Sequence, residues 1–470
     1  MRDEQRFDVI VVGGGIAGLI AANRAAQFNL KAVVLECGEV DKYLCNTRFT
    51  GGTLHICMRE ITLDEETLRQ TILESGGDFI APDIAQVIAR EGRRVVRWLQ
   101  DEGMRFMRAS ASEYHKWVLA PPGRSRPGLD WEGRAGDVLL RTLEERLHDR
   151  GGRVVRGSRA RTLVMDGARC VGVLAQQGGG EITYSAGAVF IADGGFSGNA
   201  GLVGRYISRQ PERLKQRGAG TGKGDGLCMA EAAGAALVGM DRFYGHMLSI
   251  DAMKNDRLWP YPYLDSLVTA GIVVDASGRR FVDEGRGGVY VANAVAALDD
   301  PQSAQVIFDQ AIWDKAGRNG LIAANPHAER EGATMHRADT LDALAVLARV
   351  PAEALKRTIL QYNESVFGKE QPGALSPPRY GKKHDPFPIL KGPFYALPMC
   401  VGITYTMGGV RVNAHAQAMR RDGSPIEGLY ALGSAAGGIE GGPNVAYVGG
   451  LAKAGVTALV AAEHFAAAMA

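Results

Sequence analysis

Residues 8–36 combine a strand pattern, three spaced glycines and a closing carboxylate in an order that few folds accommodate. An apolar run leads into Gly13, Gly15 and Gly18, and a helix-compatible segment follows. Gly13 permits the tight turn from strand to helix, Gly15 lets the backbone approach a pyrophosphate, and Gly18 lets the helix pack closely. Glu36 ends a second apolar run, where a carboxylate accepts hydrogen bonds from ribose hydroxyls. The segment predicts a dinucleotide site on a Rossmann-like sheet without identifying the dinucleotide.

The bulk properties are those of an ordinary globular protein. A length of 470 residues exceeds one ordinary core and predicts about two to three domains. The net charge of +2 gives no reason to expect nucleic acid or an anionic membrane surface as a partner. No apolar run approaches the ~18–20 residues that span a bilayer, and the first strand begins too early for a secretory leader. We therefore expect a cytoplasmic protein with no membrane span.

The six cysteines do not form a ligand pattern. They are scattered, with no CxxC and no CxxCH motif. The sequence therefore predicts no iron–sulfur cluster, no attached haem and no metal site. Any redox cofactor in the chain is then a single one, and its electrons come from or go to a separate donor or acceptor.

Changes in composition divide the chain into three parts. Strand and glycine patterns fill 1–240, aromatic and proline residues concentrate in 241–385, and strand, turn and glycine patterns return in 386–470. We interpret the first and last parts as one cofactor domain and the middle part as an inserted domain that holds the substrate. Ligand sites are common at domain interfaces, so the cleft between the two is the expected place of reaction.

Several loops beyond the glycine fingerprint are predicted to reach the cofactor. They carry small or polar residues after a predicted strand or in a glycine-rich turn, where a ligand can approach the backbone. The predicted contacts outside the fingerprint are Asn46, Thr47, Gly51, Gly52, Ala192, Asp193, Gly194 and Asp225.

Five motifs in a fixed order resemble one known family. They are DVIVVGGGIAGL with Glu36, TGKGDGLCMA at 221–230, GRRFVDEG at 278–285, YTMGGVRV at 405–412, and GLYALGSAAGG at 428–438 followed by GPNVAYVGGLAKAG. Together they span almost the whole chain, and they resemble the FAD-dependent fumarate reductase and succinate dehydrogenase flavoprotein superfamily. This superfamily includes soluble fumarate reductases, 3-ketosteroid dehydrogenases and tricarballylate dehydrogenase.

The resemblance implies a fold, a cofactor and a reaction. The fold would be α/β, with a Rossmann-like FAD-binding domain interrupted by an α+β capping domain. A small-molecule substrate would bind against the flavin under this cap. A hydride would pass between flavin N5 and a C–C bond adjacent to a carbonyl. Gly433, Ser434 and Gly449 would contact the cofactor, with Ser434 in a place usually held by an acid.

The chain departs from fumarate reductases at the positions where those enzymes hold their substrate. Tyr405 replaces a histidine that binds a substrate carboxylate, and Tyr447 and Val448 precede Gly449 where those enzymes carry an arginine. Tyrosine lacks the guanidinium fork that binds carboxylates, so a dicarboxylate is disfavoured and a ketosteroid-like or enone substrate is expected. Members with covalent flavin carry a histidine near the position of Asn46. None stands there, so we expect non-covalent FAD.

Desaturation beside a carbonyl needs a base for the α-hydrogen and an acceptor for the hydride. Tyr405 and Tyr447 are candidate carbonyl donors or bases, although buried tyrosines commonly serve packing. The ordinary pKa of a histidine suits proton transfer, so His246 is a further candidate. Arg286 is a candidate acid or substrate anchor, and Glu284 is a candidate proton relay. A purely structural role is the alternative for each of these residues.

Two alternatives to this function stay open on the sequence. A tricarballylate-like polycarboxylate dehydrogenase would use arginines such as Arg124 or Arg286 as a carboxylate clamp. A non-catalytic FAD-fold binding protein would show no turnover. The sequence also leaves open whether the enzyme would act as a dehydrogenase or as an ene reductase.

Overall fold

The computed structural model describes residues 4–123, 130–320, 322–368, 375–379 and 384–470, and Arg124 lies outside these ranges. The strands of the described residues are β1 (Glu4–Val12), β2 (Ala32–Leu35), β3 (His55–Ile56), β4 (Arg59–Glu60), β5 (Phe106–Met107), β6 (Val118–Leu119), β7 (Arg153–Val155), β8 (Ser158–Asp166), β9 (Arg169–Gln177), β10 (Gly180–Ile191), β11 (Lys215–Gln216), β12 (Leu237–Val238), β13 (Phe243–Ser249), β14 (Ile272–Val274), β15 (Gln305–Asp309), β16 (His336–Ala338), β17 (Phe394–Thr406), β18 (Gly409–Arg411), β19 (Gln417–Met419), β20 (Pro425–Ala431) and β21 (Ala436–Gly437). The α-helices are α1 (Ile16–Gln27), α2 (Glu65–Gly76), α3 (Pro82–Asp101), α4 (Ala135–Asp149), α5 (Ala200–Tyr206), α6 (Asp225–Ala232), α7 (Asp265–Ala270), α8 (Gly288–Ala296), α9 (Gln310–Lys315), α10 (Ala324–Arg330), α11 (Leu341–Ala348), α12 (Ala352–Val366) and α13 (Gly450–Met469).

An eight-stranded sheet carries the glycine fingerprint. Its order is β19-β20-β10-β1-β2-β7, with β9 beside β10 and β8 beside β9. β1 pairs in parallel with β2 and β10, and β10 pairs in parallel with β20. Every residue of β2 is buried, as expected for a parallel strand that is covered on both faces. Helix α1 contacts both α4 and α13, which completes the helical layer over this sheet.

The carboxyl ends of four parallel strands meet at one edge of this sheet. The glycine fingerprint follows β1, Glu36 follows β2, residues 192–194 follow β10, and residues 433–434 follow β20. Ligands of open α/β sheets bind outside this edge. The fold therefore gathers predicted cofactor contacts from four distant segments, and we call this place the cofactor edge.

A second sheet of six strands has its own hydrophobic core. Its order is β11-β17-β15-β14, and β13 and β16 also pair with β17. Apolar residues such as Ile307 and Leu397 form a core cluster separate from that of the first sheet. β11 precedes residue 241 and β17 follows residue 385, so this sheet takes strands from all three predicted parts. The division at these residues stays a prediction.

The antiparallel pair β13 and β17 positions the side chains of the candidate site. Tyr244 lies opposite Tyr405, but Gly245 lies opposite Ile403, so Thr404 is an extra residue on β17. Such a bulge bends a strand and redirects its side chains. This local irregularity lies where the second sheet approaches the cofactor edge.

Candidate active site

Two glycines of the fingerprint, Gly13 and Gly18, leave no room for a side chain. Gly13 has a φ of +104°, and a Cβ there would lie 2.7 Å from the carbonyl oxygen of Ala192. A Cβ on Gly18 would lie 2.0 Å from the carbonyl oxygen of Gly13, so α1 can pack this closely only with glycine. A Cβ on Gly15 would meet Thr47 Oγ1 at 3.5 Å. The start of α1 is therefore free of bulk, and its amide groups and helix dipole favour a phosphate there.

Gly18→Ala is expected to yield protein that is largely free of flavin. The added Cβ would overlap a backbone oxygen, which costs about 1–3 kcal/mol and displaces α1 from β1. The measurement is the ratio of flavin to protein absorbance after purification. Gly180→Ala is the matched control, because its Cβ would meet its nearest atom only at 3.8 Å. Equal flavin content in the two variants would contradict the prediction.

A buried carboxylate, Glu36, and a half-buried one, Asp193, lie on the cofactor edge. Glu36 accepts hydrogen bonds from the amides of Gly14 at 2.8 Å and Gly38 at 2.7 Å. Asp193 Oδ2 accepts one from the amide of Gly226 at 2.7 Å, whereas Asp193 Oδ1 is buried and unpaired among the described residues. Burial raises the pKa of Asp193 to about 7. A buried oxygen without a partner fits a polar group of a bound FAD, so the residues present suit this cofactor.

The other predicted cofactor contacts lie along this edge or beside it. Asn46 Oδ1 accepts a hydrogen bond from the amide of Ala219 at 2.8 Å, and Thr47 Oγ1 accepts one from the first amide of α1 at 3.0 Å. Asp225 forms an ion pair with Arg159 at 2.7 Å. A Cβ on Gly51 or Gly194 would meet no heavy atom within 4 Å. The remaining predicted contacts with small side chains are Gly52, Ala192, Gly433, Ser434 and Gly449.

Aromatic side chains from separate elements meet beside the cofactor edge. We call Tyr244, His246, Tyr263, Tyr405 and Tyr447 the tyrosine cluster. The rings of Tyr244 and Tyr447 stack with their centroids 4.1 Å apart, and those of Tyr244 and Tyr405 are 5.3 Å apart. His246 stacks on Tyr263 at 4.6 Å. The structure thus brings together three residues that the sequence predicts to be catalytic: Tyr405, Tyr447 and His246.

Strand β3, which begins at His55, and the residues after it link the tyrosine cluster to Gly449. The ring of His55 lies 5.3 Å from that of Tyr447, and the amide of Cys57 donates to the carbonyl of Val448 at 2.7 Å. A Cβ on Gly449 would lie 2.4 Å from the carbonyl oxygen of His55. Burial lowers the pKa of His55 to about 4, so this ring is neutral near pH 7. Predicted FAD contacts and predicted catalytic tyrosines therefore share one site.

Tyr244, His246 and Asp265 form a hydrogen-bonded chain. His246 Nδ1 lies 2.6 Å from Asp265 Oδ2, and His246 Nε2 lies 3.0 Å from Tyr244 Oη. Because an ionised carboxylate only accepts, Nδ1 donates to Asp265 and Nε2 accepts from the Tyr244 hydroxyl. The amide of Met247 donates to Asp265 Oδ1 at 3.2 Å and holds this carboxylate in place. Burial lowers the pKa of His246 even though Asp265 opposes this shift, so the neutral imidazole is available as a base for Tyr244.

Tyr405 is bound to a buried ion pair. Its hydroxyl donates to Glu440 Oε2 at 3.0 Å, and this oxygen lies 2.6 Å from Lys453 Nζ. Glu440 Oε1 accepts hydrogen bonds from the amides of Val448 at 3.0 Å and Gly449 at 2.9 Å. Burial raises the pKa of Tyr405 well above its ordinary value, and the charge of Glu440 acts in the same direction. Tyr405 therefore keeps its proton and directs it toward Glu440.

Glu284 and Arg286 lie apart from these two networks. Glu284 is fully buried, and its Oε1 accepts hydrogen bonds from Arg280 Nε at 3.0 Å and from the amide of Val273 at 2.9 Å. The Arg286 guanidinium lies 4.7 Å from the ring centroid of Tyr290, which packs against the tyrosine cluster. The proton relay by Glu284 and the substrate role of Arg286 stay predictions.

The sequence does not point directly to four polar residues of this site: Tyr244, Asp265, Glu440 and Lys453. Tyr244 and His246 stand two residues apart in a strand pattern, so their shared face could be read from the sequence. Lys453 stands among small apolar residues, and a lysine is seldom fully buried unless it is paired. Asp265 and Glu440 have no comparable local signal, because only the tertiary fold brings them to their partners.

The first sheet places the glycine fingerprint at the cofactor edge, and the second sheet places Tyr244 and Tyr405 beside it. This arrangement defines a dinucleotide-dependent oxidoreductase. The profile of one family, described as an FAD binding domain, matches residues 8–445. The chain belongs to this family.

Two relatives show the range of chemistry among similar proteins. The NADH:acrylate oxidoreductase of Vibrio harveyi is 28% identical over 77% of this chain, and the chain spans 34% of that longer protein. The vinyl phenol reductase of Lactiplantibacillus plantarum is 27% identical, over 93% of this chain and 92% of the relative.

Solved structures share the fold across nearly the whole chain. The 3-ketosteroid Δ1-dehydrogenase of Sterolibacterium denitrificans gives a TM-score of 0.74 at 19% identity, covering 99% of this chain and 100% of that one. The Δ4-(5α)-dehydrogenase of Rhodococcus jostii gives 0.70 at 21% identity, with the same coverage. With the family match, these findings confirm the predicted superfamily, the α/β fold and the FAD cofactor. They also confirm the predicted class, an FAD-dependent oxidoreductase that acts on CH–CH groups.

Proposed function

We propose that the protein exchanges a hydride with a C–C bond adjacent to a carbonyl, in a ketosteroid-like or other enone substrate, and that Tyr244 exchanges the proton. FAD, when bound, takes up or supplies the hydride of the β-carbon. The hydrogen-bonded chain of Tyr244, His246 and Asp265 carries this proposal, because it couples a buried phenol to a base and the base to a carboxylate. The relatives named for acrylate and vinyl phenol support a conjugated C–C bond as the reacting group.

The proton moves along this chain in either direction of the reaction. In dehydrogenation the Tyr244 oxygen receives the α-proton of the substrate while the phenolic proton passes to His246 Nε2. The electron pair of the α-C–H bond becomes the π bond, and the β-hydrogen leaves with its own pair as hydride. In reduction Tyr244 protonates the α-carbon and is reprotonated by His246. Burial raises the pKa of Tyr244 well above its ordinary value, so a free phenolate is disfavoured and the two proton transfers are coupled.

Tyr447 and Tyr405 are assigned different roles in this proposal. Burial raises the pKa of Tyr447 above its ordinary value, so its phenol stays protonated and is suited to donate to the substrate carbonyl. We assign Tyr405 a positioning role, because its hydroxyl already donates to Glu440 and its ring packs beside that of Tyr244.

Anaerobic flavin spectroscopy on the purified holoenzyme tests the proposed function. We expect a saturated cyclic ketone, either neutral (a 3-ketosteroid or cyclohexanone) or carrying a carboxylate (4-oxocyclohexanecarboxylate), to bleach the flavin, or the matching enone to reoxidise flavin that dithionite has reduced. Tricarballylate and succinate serve as comparison substrates. A response to these acids alone would favour a polycarboxylate dehydrogenase, and a flavin inert to every pair would favour a non-catalytic binding protein. Either result would overturn the proposal.

The pH dependence of the reaction reports on His246. Burial lowers the pKa of this imidazole below its ordinary value of 6.5. Nε2 must be unprotonated to accept the Tyr244 proton, so the rate of flavin reduction should not fall between pH ~8 and pH ~6.5 and should decline only below that range. The unfolded imidazole binds a proton near pH 6.5 that the buried one does not, so His246 lowers the free energy of unfolding as pH falls through about 6.5. Rate–pH profiles check the first effect, and an acid limb above about 6.5 would contradict it.

A separate electron partner and a cytoplasmic location are also proposals. The two relatives named as NADH oxidoreductases are longer, and the chain spans only 34% and 45% of them. The scattered cysteines, which form no iron–sulfur or haem motif in the sequence, support a separate donor or acceptor. Cys37 and Cys228 are exposed thiols, which is typical of a reducing compartment. In the described part of the chain, no helix has the length and apolar character to cross a membrane.

A further inference from the structure

Arg217 is a buried cation that directly follows β11. It is only 8% exposed. Its Nε donates to the carbonyl of Pro260 at 3.2 Å, and its Nη1 donates to Thr404 Oγ1 at 3.0 Å, so both acceptors are neutral. Among the described residues, no carboxylate oxygen lies within 4.0 Å of this guanidinium. Buried charges in proteins are normally paired, so an anion from outside the chain would neutralise the guanidinium of Arg217.

The guanidinium lies near the tyrosine cluster. It is 5.2 Å from the ring centroid of Tyr261, which in turn lies 5.7 Å from that of Tyr263. Burial raises the pKa of Tyr244 and lowers that of His246, and the charge of Arg217 is close enough to act on both pKa values. The positive charge is therefore close to the groups to which we assign the proton transfer.

The same segment also reaches the cofactor edge. A Cβ on Gly218 would lie 2.5 Å from Asn46 Oδ1, and the amide of Ala219 donates to that oxygen at 2.8 Å. The amide of Arg217 itself donates to the carbonyl of Ile403 on β17 at 2.7 Å. Arg217 thus lies between a predicted FAD contact and the tyrosine cluster, which is where the proposed reaction places the substrate.

The carboxylates of the site are engaged elsewhere. Asp265 binds His246 and the amide of Met247, and Glu440 binds Lys453 and Tyr405. Each of these carboxylates has its own donors and forms no ion pair with Arg217 in the described structure. The charge of Arg217 is therefore left for a ligand.

We propose that Arg217 binds a carboxylate group of the substrate, so that the substrate carries one negative charge in addition to its ring ketone or enone. The inference rests on the proposed function for the position of the substrate. A guanidinium binds a carboxylate through paired, charge-assisted hydrogen bonds, and the tyrosine faces suit a flat ring. Arg217, which follows β11, then supplies the charge that binds the substrate. Tyr405 and Tyr447 occupy the positions where the superfamily resemblance implies charged residues for this purpose.

Binding of unreactive ring compounds to the oxidised holoenzyme tests this anchor. Benzoate and benzamide have the same shape and differ in charge, and flavin difference spectra report their dissociation constants. We expect the wild type to prefer benzoate. Arg217→Met should weaken benzoate binding by roughly 30-fold or more and leave benzamide binding unchanged. Arg217→Lys should keep part of the preference, because it keeps the charge and loses the fork.

Arg213→Met is the matched control on the same segment, because Arg213 pairs with Asp300 at a half-exposed surface position. It should bind both probes like the wild type, and the flavin content of every variant reports its folding. A wild type without a preference for benzoate, or a preference that survives in Arg217→Met, would overturn the anchor. Flavin inert to every enone pair, together with Arg217-dependent benzoate binding, would refute the proposed function and leave the anchor standing.

Discussion

Tyr244→Phe is expected to slow reduction of the flavin by a saturated substrate by roughly 10²–10⁴-fold, the contribution typical of a positioned acid–base group. The phenyl ring keeps the stacking on Tyr447, whose centroid is 4.1 Å away. The change removes only the hydroxyl that lies 3.0 Å from His246 Nε2. FAD content and fold should therefore be retained while the proton loses its carrier. Stopped-flow absorbance under anaerobic conditions measures the rate.

Tyr184→Phe is the matched control for this experiment. Tyr184 is also buried, and its hydroxyl bonds Gln177 at 2.8 Å on the antiparallel side of the first sheet, far from the tyrosine cluster in sequence and fold. This control should reduce its flavin at the wild-type rate. If Tyr244→Phe kept that rate as well while Tyr447→Phe lost it, the proton would pass through Tyr447 and the assigned chain would be wrong.

Much of the fold follows from local sequence patterns. The glycine spacing and the apolar runs around it predict the strand, turn and helix of residues 8–36, and the structure has β1, α1 and β2 there. The second sheet is harder to predict, because β11 contributes only two residues and lies far in sequence from its partner β17. No periodic signal distinguishes so short a strand from a loop.

The candidate site could be predicted only in part, for a related reason. Tyr405 and Tyr447 are conspicuous because they stand in motifs where the superfamily resemblance implies charged residues. Their partners depend on long-range contacts, and a sequence without its fold gives no distance between Asp265 and His246 or between Tyr405 and Glu440. Arg217 is equally hidden, since burial without an anionic partner becomes visible only in three dimensions.

Lys453→Met is expected to lower the free energy of unfolding by about 3–5 kcal/mol, the cost of leaving one member of a buried ion pair without its partner. Lys453 and Glu440 are both inaccessible to solvent, and Nζ lies 2.6 Å from Glu440 Oε2. Without the ammonium group, the donors that remain to Glu440 among the described residues are two backbone amides and the Tyr405 hydroxyl. Urea unfolding of the holoenzyme measures the change as a lower midpoint at constant slope.

The double variant Lys453→Met with Glu440→Gln separates loss of charge from loss of packing. Glutamine keeps an oxygen for the amides of Val448 and Gly449 but carries no charge, so the unpaired buried anion disappears and most of the lost stability should return. Lys356→Met is the surface control, because Lys356 pairs with acids at an exposed position and should unfold like the wild type. If the double variant were as unstable as Lys453→Met, the unpaired charge of Glu440 would not be the source of the lost stability.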